Sequence, residues 1–244
     1  MHPEICRIGP FVIYSYGLSL ALAFTLAITL ASRQARRQNF NPELIVNLCF
    51  IGFFLGIIGA RILYVAGHLS DYLNNPLEII MFQHGGLSWF GGLILGLFSG
   101  VVYLKRKKLP VYKTIDLIIP YVALAQAIGR LGCFLNGCCF GRESSYGIYF
   151  PVHKAVLIPT QLYSSLFLVF IFVILIYLRE RPHKAGFILF TYLLLYSTKR
   201  FFIEFWRADN PAIIFNLTIF QIFAVAIFFL ALIKLIQLTK KSSS

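Results

Sequence analysis

The sequence predicts an all-α, polytopic membrane protein with seven transmembrane helices, an external N-terminus and a cytoplasmic C-terminus. Hydrophobic residues make up 59% of the chain, the mean hydropathy is +0.78, and the basic residues cluster between long apolar runs. Soluble domains contain far fewer apolar residues. Because one crossing needs about 20 apolar residues, the 244 residues have room for a single transmembrane domain and for no second, soluble one.

The seven expected crossings are apolar runs bounded by polar or basic segments. They extend over about residues 11–32, 44–66, 85–104, 115–135, 160–178, 185–203 and 213–236. Segments 67–84 and 136–159 are expected as outer-side connections, and 237–244 as a cytoplasmic tail. In the second crossing, Gly52, Gly56 and Gly59 have a spacing that allows close helix packing.

The distribution of basic residues predicts the orientation. Fourteen of the 22 lysines and arginines fall in the segments assigned to the cytoplasm, and four fall in those assigned to the outside, as the positive-inside rule requires. A net charge of +13 can indicate nucleic-acid binding, but here the charges form short clusters between crossings instead of one basic face. Membrane topology explains them, and no nucleic-acid partner is expected.

Residues 127–142, at the outer end of the fourth crossing, combine an arginine with glycines, cysteines and an asparagine. Arg130 follows a long apolar stretch, and an arginine at membrane depth costs roughly 2.5–3.5 kcal/mol on insertion scales. It therefore needs a carboxylate or an anionic ligand, and the neighbouring glycines allow backbone N–H groups to approach an anion. The alternative is a set of packing glycines with a snorkelling arginine.

Three further basic residues lie within or at the ends of apolar runs, namely Arg61, Lys199 and Arg200. One such residue alone can snorkel to the interface. Three arginines on three helices, with few acidic residues to match them, instead indicate that they converge on a bound anion. The anion that a membrane supplies is a phospholipid head group, and the planar fork of arginine suits a phosphate.

Five motifs, in order along the chain, resemble the prolipoprotein diacylglyceryl transferase family. They are Ala-Arg-x-x-Tyr-Val at 60–65, Gly-Gly-Leu-Ser-x-x-Gly-Gly-Leu at 85–93, Gly-Arg-x-Gly-x-Phe-x-Asn-Gly-x-x-x-Gly at 129–141, Pro-Thr-Gln-Leu-Tyr at 159–163, and Arg-Phe-x-x-Glu-Phe-x-Arg at 200–207. The resemblance implies a multi-pass enzyme of the bacterial plasma (inner) membrane. It would transfer the diacylglyceryl group of phosphatidylglycerol, or of a similar anionic phospholipid, to the lipobox cysteine of a prolipoprotein signal peptide. A thioether would form, glycerol 1-phosphate would leave, and no cofactor is called for.

The resemblance also suggests functional residues. The catalytic candidates are Arg130, Arg200, Tyr16 and Glu204. The substrate-binding candidates are Arg61, Asn136, Gly141, Gln161, Tyr196 and Arg207. The two catalytic arginines would hold the leaving phosphate and stabilise its developing charge. Glu204 has an equally supported alternative role as an ion-pair partner of Arg200 or Arg207.

Three positions depart from the family pattern. Cys133 replaces an asparagine, Cys138 replaces a glutamate, and Phe90 replaces a histidine that would activate the acceptor thiol. His84 is the nearby histidine that could substitute, although a loop role is the simpler interpretation. The departures leave three alternatives open: another anionic lipid or acceptor, a non-catalytic lipid-binding protein, or a transporter, which the absence of an internal repeat disfavours.

Cys133, Cys138 and Cys139 lie within seven residues of one another. No metal site is expected, because the spacing is not Cys-x2-Cys and no histidine lies within ten residues. A disulfide between Cys133 and either of the other two is compatible with an oxidising exterior. A redox role, or a transient covalent carrier on one thiol, is a further alternative.

Overall fold

The computed structural model describes residues 1–9, 11–73, 76–81, 85–208, 210–214 and 216–240. The chain divides into two compact units. The first unit comprises Met1–Leu30 and Ile115–Ser244, and the second comprises Ala31–Thr114. The expectation of a single transmembrane domain stays a prediction.

The structure is mostly helical. The α-helices are α1 (Ser15–Arg37), α2 (Pro42–Gly67), α3 (Leu69–Tyr72), α4 (Trp89–Arg106), α5 (Val111–Asn136), α6 (Thr160–Arg179), α7 (Phe187–Glu204) and α8 (Ile219–Lys240), with a 3-10 helix at Pro76–Ile80. Within the described residues, five of them (α1, α2, α5, α6 and α8) are long and apolar enough to cross a membrane. This result confirms a polytopic helical membrane protein, whereas seven crossings and the orientation stay predictions.

The described residues contain three antiparallel hairpins that were not predicted. They pair β1 (Glu4–Ile8) with β2 (Phe11–Tyr14), β3 (Glu143–Phe150) with β4 (Ala155–Leu157), and β5 (Ala212–Ile214) with β6 (Leu217–Thr218). The starts expected for the first and last crossings, residues 11 and 213, were therefore wrong. Both segments contain β-branched and aromatic residues, which suit a strand as well as they suit a membrane helix, so hydropathy alone could not separate the two.

In the second unit, α2 and α4 pack through glycines. A Cβ atom built on Gly59 would lie 2.5 Å from the carbonyl oxygen of Gly91, and one built on Gly91 would lie 2.2 Å from that of Gly59. Gly56 likewise faces Gly92. The close packing expected from the glycine spacing in α2 is confirmed, and the partner is the second glycine pair of the 85–93 motif.

In the first unit, the core lies between α5, α6 and α7. It is built on buried side chains, namely Ala123, Ile171, Leu175, Ile188 and Tyr192. Asp116 of α5 accepts hydrogen bonds from the backbone N–H groups of Gly186 (2.5 Å) and Leu189 (2.8 Å). It thereby satisfies N–H groups that a helix leaves free in its first turn, so the start of α7 is anchored to α5.

Candidate active site

The last turn of α7 carries a buried carboxylate with four polar partners. Glu204 pairs through Oε2 with Nη2 of Arg200 at 3.0 Å and with Nε of Arg207 at 3.9 Å. Its Oε1 accepts hydrogen bonds from Asn210 Nδ2 (2.6 Å) and Thr218 Oγ1 (3.0 Å). Both oxygens are thus engaged in holding two arginines and the β5–β6 hairpin, which supports the ion-pair alternative for Glu204.

Among the described residues, positive charge exceeds negative charge around this carboxylate. Lys199 is buried, with 5% of its surface exposed. Its Nζ donates to Ser164 Oγ at 3.1 Å and lies 4.3 Å from the ring centroid of Tyr196, so its described contacts are a hydroxyl and an aromatic face. The guanidinium of Arg200 lies 4.6 Å from the ring centroid of Phe220. Because Arg200 also pairs with Glu204, it is the charge of Lys199 that has no anionic partner among the described residues.

Arg130, near the end of α5, lies close enough to Lys199 and Arg200 to interact with both electrostatically. In the described part of the chain, its guanidinium forms no hydrogen bond and no ion pair. Among the described residues, Arg200 and Arg207 pair with Glu204, whereas Arg130 and Lys199 form no ion pair. Because isolated buried cations are costly, this arrangement favours the binding of an anion.

Gly141 lies where three segments meet. Its N–H donates to the carbonyl oxygen of Ile158 at 2.9 Å, and it forms an isolated antiparallel bridge with Arg207. A Cβ atom at this position would lie 2.6 Å from the carbonyl oxygen of Trp206 and 2.8 Å from Cβ of Ile158. Gly141 is thus required for close packing, and its bridge holds Arg207 beside it. Its role in substrate binding stays a prediction.

The turn at residues 137–139, just after α5, is held by side chains from neighbouring elements. Three successive carbonyl oxygens, those of residues 137, 138 and 139, accept hydrogen bonds from His153 Nε2 (2.8 Å), Gln161 Nε2 (2.7 Å) and Thr160 Oγ1 (2.7 Å), respectively. The first turn of α6 and the β3–β4 segment therefore fix the conformation of this turn. Gln161 helps to position the turn, and its expected role in substrate binding stays a prediction.

The sulfur atoms of Cys133, Cys138 and Cys139 lie within 4.8 Å of one another, and all three residues are half-buried. The side chain of Asn136 lies beside the thiol of Cys138. Hydrogen bonds from the other two thiols, together with the nearby positive charges of Arg130 and Arg207, lower the pKa of the Cys139 thiol against the effect of burial. The three thiols thus border the cationic cluster.

Tyr16 lies in the first turn of α1, which passes close to α5. A Cβ atom built on Gly132 would lie 2.7 Å from Cβ of Ser19 and 3.6 Å from Cα of Tyr16. Tyr16 interacts electrostatically with Arg130 and with the three thiols, and 42% of its surface is exposed. Helix packing therefore brings the phenol next to the predicted anion site.

Arg61 lies in the second unit, where it organises a loop. Its guanidinium donates to the carbonyl oxygens of Ile79 (2.9 Å), Gly85 (2.6 Å) and Gly86 (3.0 Å), as well as to those of residues 78 and 81. Gly86 has a φ of +74°, and a Cβ atom there would lie 2.8 Å from Arg61 Nη1. These contacts support a structural role in place of anion binding, and the convergence of Arg61 with the other arginines stays a prediction.

The model of the family described as prolipoprotein diacylglyceryl transferase matches residues 3–237 of the chain. The chain belongs to this family. A phosphatidylglycerol–prolipoprotein diacylglyceryl transferase of Clostridium kluyveri is 36% identical over 220 residues, which are 86% of each chain. The transferase of Clostridium tetani is 32% identical over 216 residues, again 86% of each chain, and that of Bacillus cytotoxicus is 33% identical over 250 residues, 96% of this chain and 92% of the relative.

The structure brings together most of the positions that resemble functional positions of the transferase family. In the first unit these are Tyr16, Arg130, Asn136, Gly141, Gln161, Tyr196, Arg200, Glu204 and Arg207. His84 lies outside the described residues, and Phe90 lies in the first turn of α4.

Sequence reasoning singled out Lys199 as a basic residue in an apolar run without assigning it a role in the site, and it missed His153. A lysine next to Arg200 within an apolar run was a usable signal, because a charge at that depth needs a function or a partner. Nothing in the sequence around His153 indicated that its ring would reach residue 137.

Proposed function

We propose that the protein transfers the diacylglyceryl group of phosphatidylglycerol, or of a similar anionic phospholipid, to the lipobox cysteine of a prolipoprotein. The observation that carries the proposal is the unpaired guanidinium of Arg130 in the described structure, beside Arg200 and Lys199. An anionic phosphodiester would supply the negative charge that these residues lack. Membership of the transferase family, whose relatives carry this activity in their names, supports the same substrate pair.

The reaction requires a thiolate to attack the glyceryl carbon that carries the phosphate. A C–S bond forms, the C–O bond to phosphate breaks, and glycerol 1-phosphate leaves with the bonding electrons on its oxygen. Arg130 and Arg200 would donate to the phosphate oxygens as this charge develops. One preorganised donor of that kind is worth about 2.7–4 kcal/mol, or 10²–10³ in rate.

The remaining residues would act by position. Glu204 orients Arg200 and Arg207 through its two ion pairs and is a positioning residue in this proposal. Tyr196 supports Lys199 through its ring face. Tyr16 borders the site from α1 and would contact the phosphate or the acceptor thiol.

The experiment measures the release of glycerol 1-phosphate from phosphatidylglycerol in detergent. It uses a lipobox peptide and the same peptide with serine in place of the cysteine. Only the cysteine peptide should support release, and Arg130→Gln should lower the rate by about 10²–10³. Arg7→Gln is the matched control, because Arg7 is largely exposed and pairs with Glu4 on the surface. If the rate of release depended neither on Arg130 nor on the peptide cysteine, or on only one of them, the proposal would be overturned.

For the membrane arrangement, we propose seven crossings in the bacterial plasma membrane, with the N-terminus outside and the C-terminus inside. Helices α4 and α7, each of 18 residues, would supply the two crossings beyond the five apolar ones. The basic residues at the ends of α1, α4 and α6 support a cytoplasmic location of those ends. A green fluorescent protein fused after residue 244 should fluoresce, because it folds in the cytoplasm. A dark fusion in correctly inserted protein would refute this orientation.

A further inference from the structure

The three-thiol cluster of Cys133, Cys138 and Cys139 has the dimensions of a metal-ligand set. Their sulfur atoms lie within 4.8 Å of one another. In a tetrahedral zinc site with Zn–S bonds of about 2.3 Å, the sulfurs are about 3.8 Å apart. If each sulfur–sulfur distance shortened by about 1 Å or less, the three sulfurs would occupy three corners of a tetrahedral zinc site.

The turn that carries two of these thiols is rigidly supported. Cys139 has a φ of +62°, a left-handed conformation that costs a non-glycine residue about 1–3 kcal/mol and persists only where the surroundings impose it. The surroundings here are the three hydrogen bonds from His153, Gln161 and Thr160 to successive carbonyl oxygens. Metal ligands are commonly oriented by such supporting hydrogen bonds.

The charge balance also fits a metal–thiolate complex. Three thiolates and one Zn²⁺ ion carry a net charge of −1. Arg130 lies within electrostatic range of Cys133 and Cys139, and Arg207 within range of Cys139. An anionic complex would therefore be stabilised by the cations that border it, whereas a hydrated divalent cation alone would be repelled.

We propose that Cys133, Cys138 and Cys139 bind a Zn²⁺ ion whose fourth coordination position takes the acceptor thiol. This inference rests on the transfer reaction proposed above, and it supplies the activating group that Phe90 cannot provide. A thiol that coordinates zinc loses its proton, which is released to the solvent. The resulting thiolate forms the C–S bond, glycerol 1-phosphate leaves, and the thioether product dissociates because it is a weak ligand.

A covalent role for one of these cysteines does not fit the same reaction. A cysteine that attacked the glyceryl carbon would form a thioether on the enzyme. Its thiolate is then a poor leaving group, so the diacylglyceryl group could not pass on to the acceptor. Three thiols that bind a metal ion are not alkylated, so the diacylglyceryl group does not become trapped on the enzyme.

The binding test uses Co²⁺ as a spectroscopic probe with reduced, full-length protein in detergent. One equivalent should produce the near-ultraviolet thiolate charge-transfer band and the intense visible bands of tetrahedral Co²⁺. Serine substitution of any cluster cysteine should abolish or shift these bands. Cys6→Ser and Cys49→Ser are matched controls, since Cys6 lies in β1 and Cys49 in α2, and both should leave the bands unchanged. Absence of thiolate bands, or bands indifferent to the cluster variants, would overturn the proposal.

Addition of the acceptor peptide tests the fourth position. The cysteine peptide should change the visible Co²⁺ bands, and its serine twin should not. Arg130→Gln should retain the bands while losing release of glycerol 1-phosphate, which separates metal binding from phosphate binding. A cysteine peptide that leaves the bands unchanged would overturn the role of the metal in activating the thiol.

Activity distinguishes the failure of this inference from the failure of the proposed function. Metal-depleted protein should release glycerol 1-phosphate at least about 100-fold more slowly, and one equivalent of Zn²⁺ should restore the rate. Full release by metal-free protein would refute the zinc site and leave the transferase function standing. Peptide-dependent Co²⁺ spectra without any release would refute the transferase function and leave the metal site standing.

Discussion

Replacement of Gly91 by alanine should destabilise the second unit by forcing α2 and α4 apart. The new Cβ atom would lie 2.2 Å from the carbonyl oxygen of Gly59, and ordinary contact begins at 3.4 Å, so the backbones must separate by about 1.2 Å. Overpacking typically costs about 1–3 kcal/mol. Alanine also stabilises the fold by about 0.5–1 kcal/mol relative to glycine, because it lowers the conformational entropy of the unfolded chain.

The net loss of unfolding free energy expected for Gly91→Ala is thus about 1 kcal/mol, within a range of about 0–2.5 kcal/mol, and is measured by denaturation in mixed detergent micelles. Gly100→Ala, on the same helix, is the matched control. Its Cβ atom would meet only Cδ1 of Leu48 at 3.5 Å, so it should be neutral or slightly stabilising. Equal stability of the two variants would refute the close backbone contact between α2 and α4.

Two further predictions concern the cationic cluster. Glu204→Gln removes the charge that Arg200 and Arg207 share and should cost roughly 3–5 kcal/mol of stability; phosphatidylglycerol should raise the denaturation midpoint of this variant more than that of the wild type. An equal response would contradict the shared role of carboxylate and lipid. Lys199→Met should raise stability in the absence of lipid and increase the KM for phosphatidylglycerol about tenfold, equivalent to about 1.4 kcal/mol. An unchanged KM would exclude Lys199 from the anion site.

Long apolar runs could be located from the sequence because helix formation over some 20 residues is a local property, and five such helices are present among the described residues. The first residues of α1 and α8, at positions 15 and 219, could not be located from the sequence. Whether a short apolar segment continues a helix or pairs as a hairpin depends on the strand beside it, as with Ala212–Ile214 and Leu217–Thr218. Family membership was accessible from five motifs, since they occur in the expected order along the chain.

The composition, the apolar runs behind the five long helices and the position of Arg130 at the end of an apolar run were determined by the sequence itself, because hydropathy and charge act residue by residue along the chain. Tertiary structure alone decided which partners the charged groups found. In the folded chain, Glu204 forms ion pairs with two arginines and accepts a hydrogen bond from the β5–β6 hairpin. Arg61 donates hydrogen bonds to backbone carbonyl oxygens. Tertiary structure also gathered three sulfurs whose spacing had argued against a metal site, because a left-handed turn held by residues from distant segments folds the chain back on the end of α5.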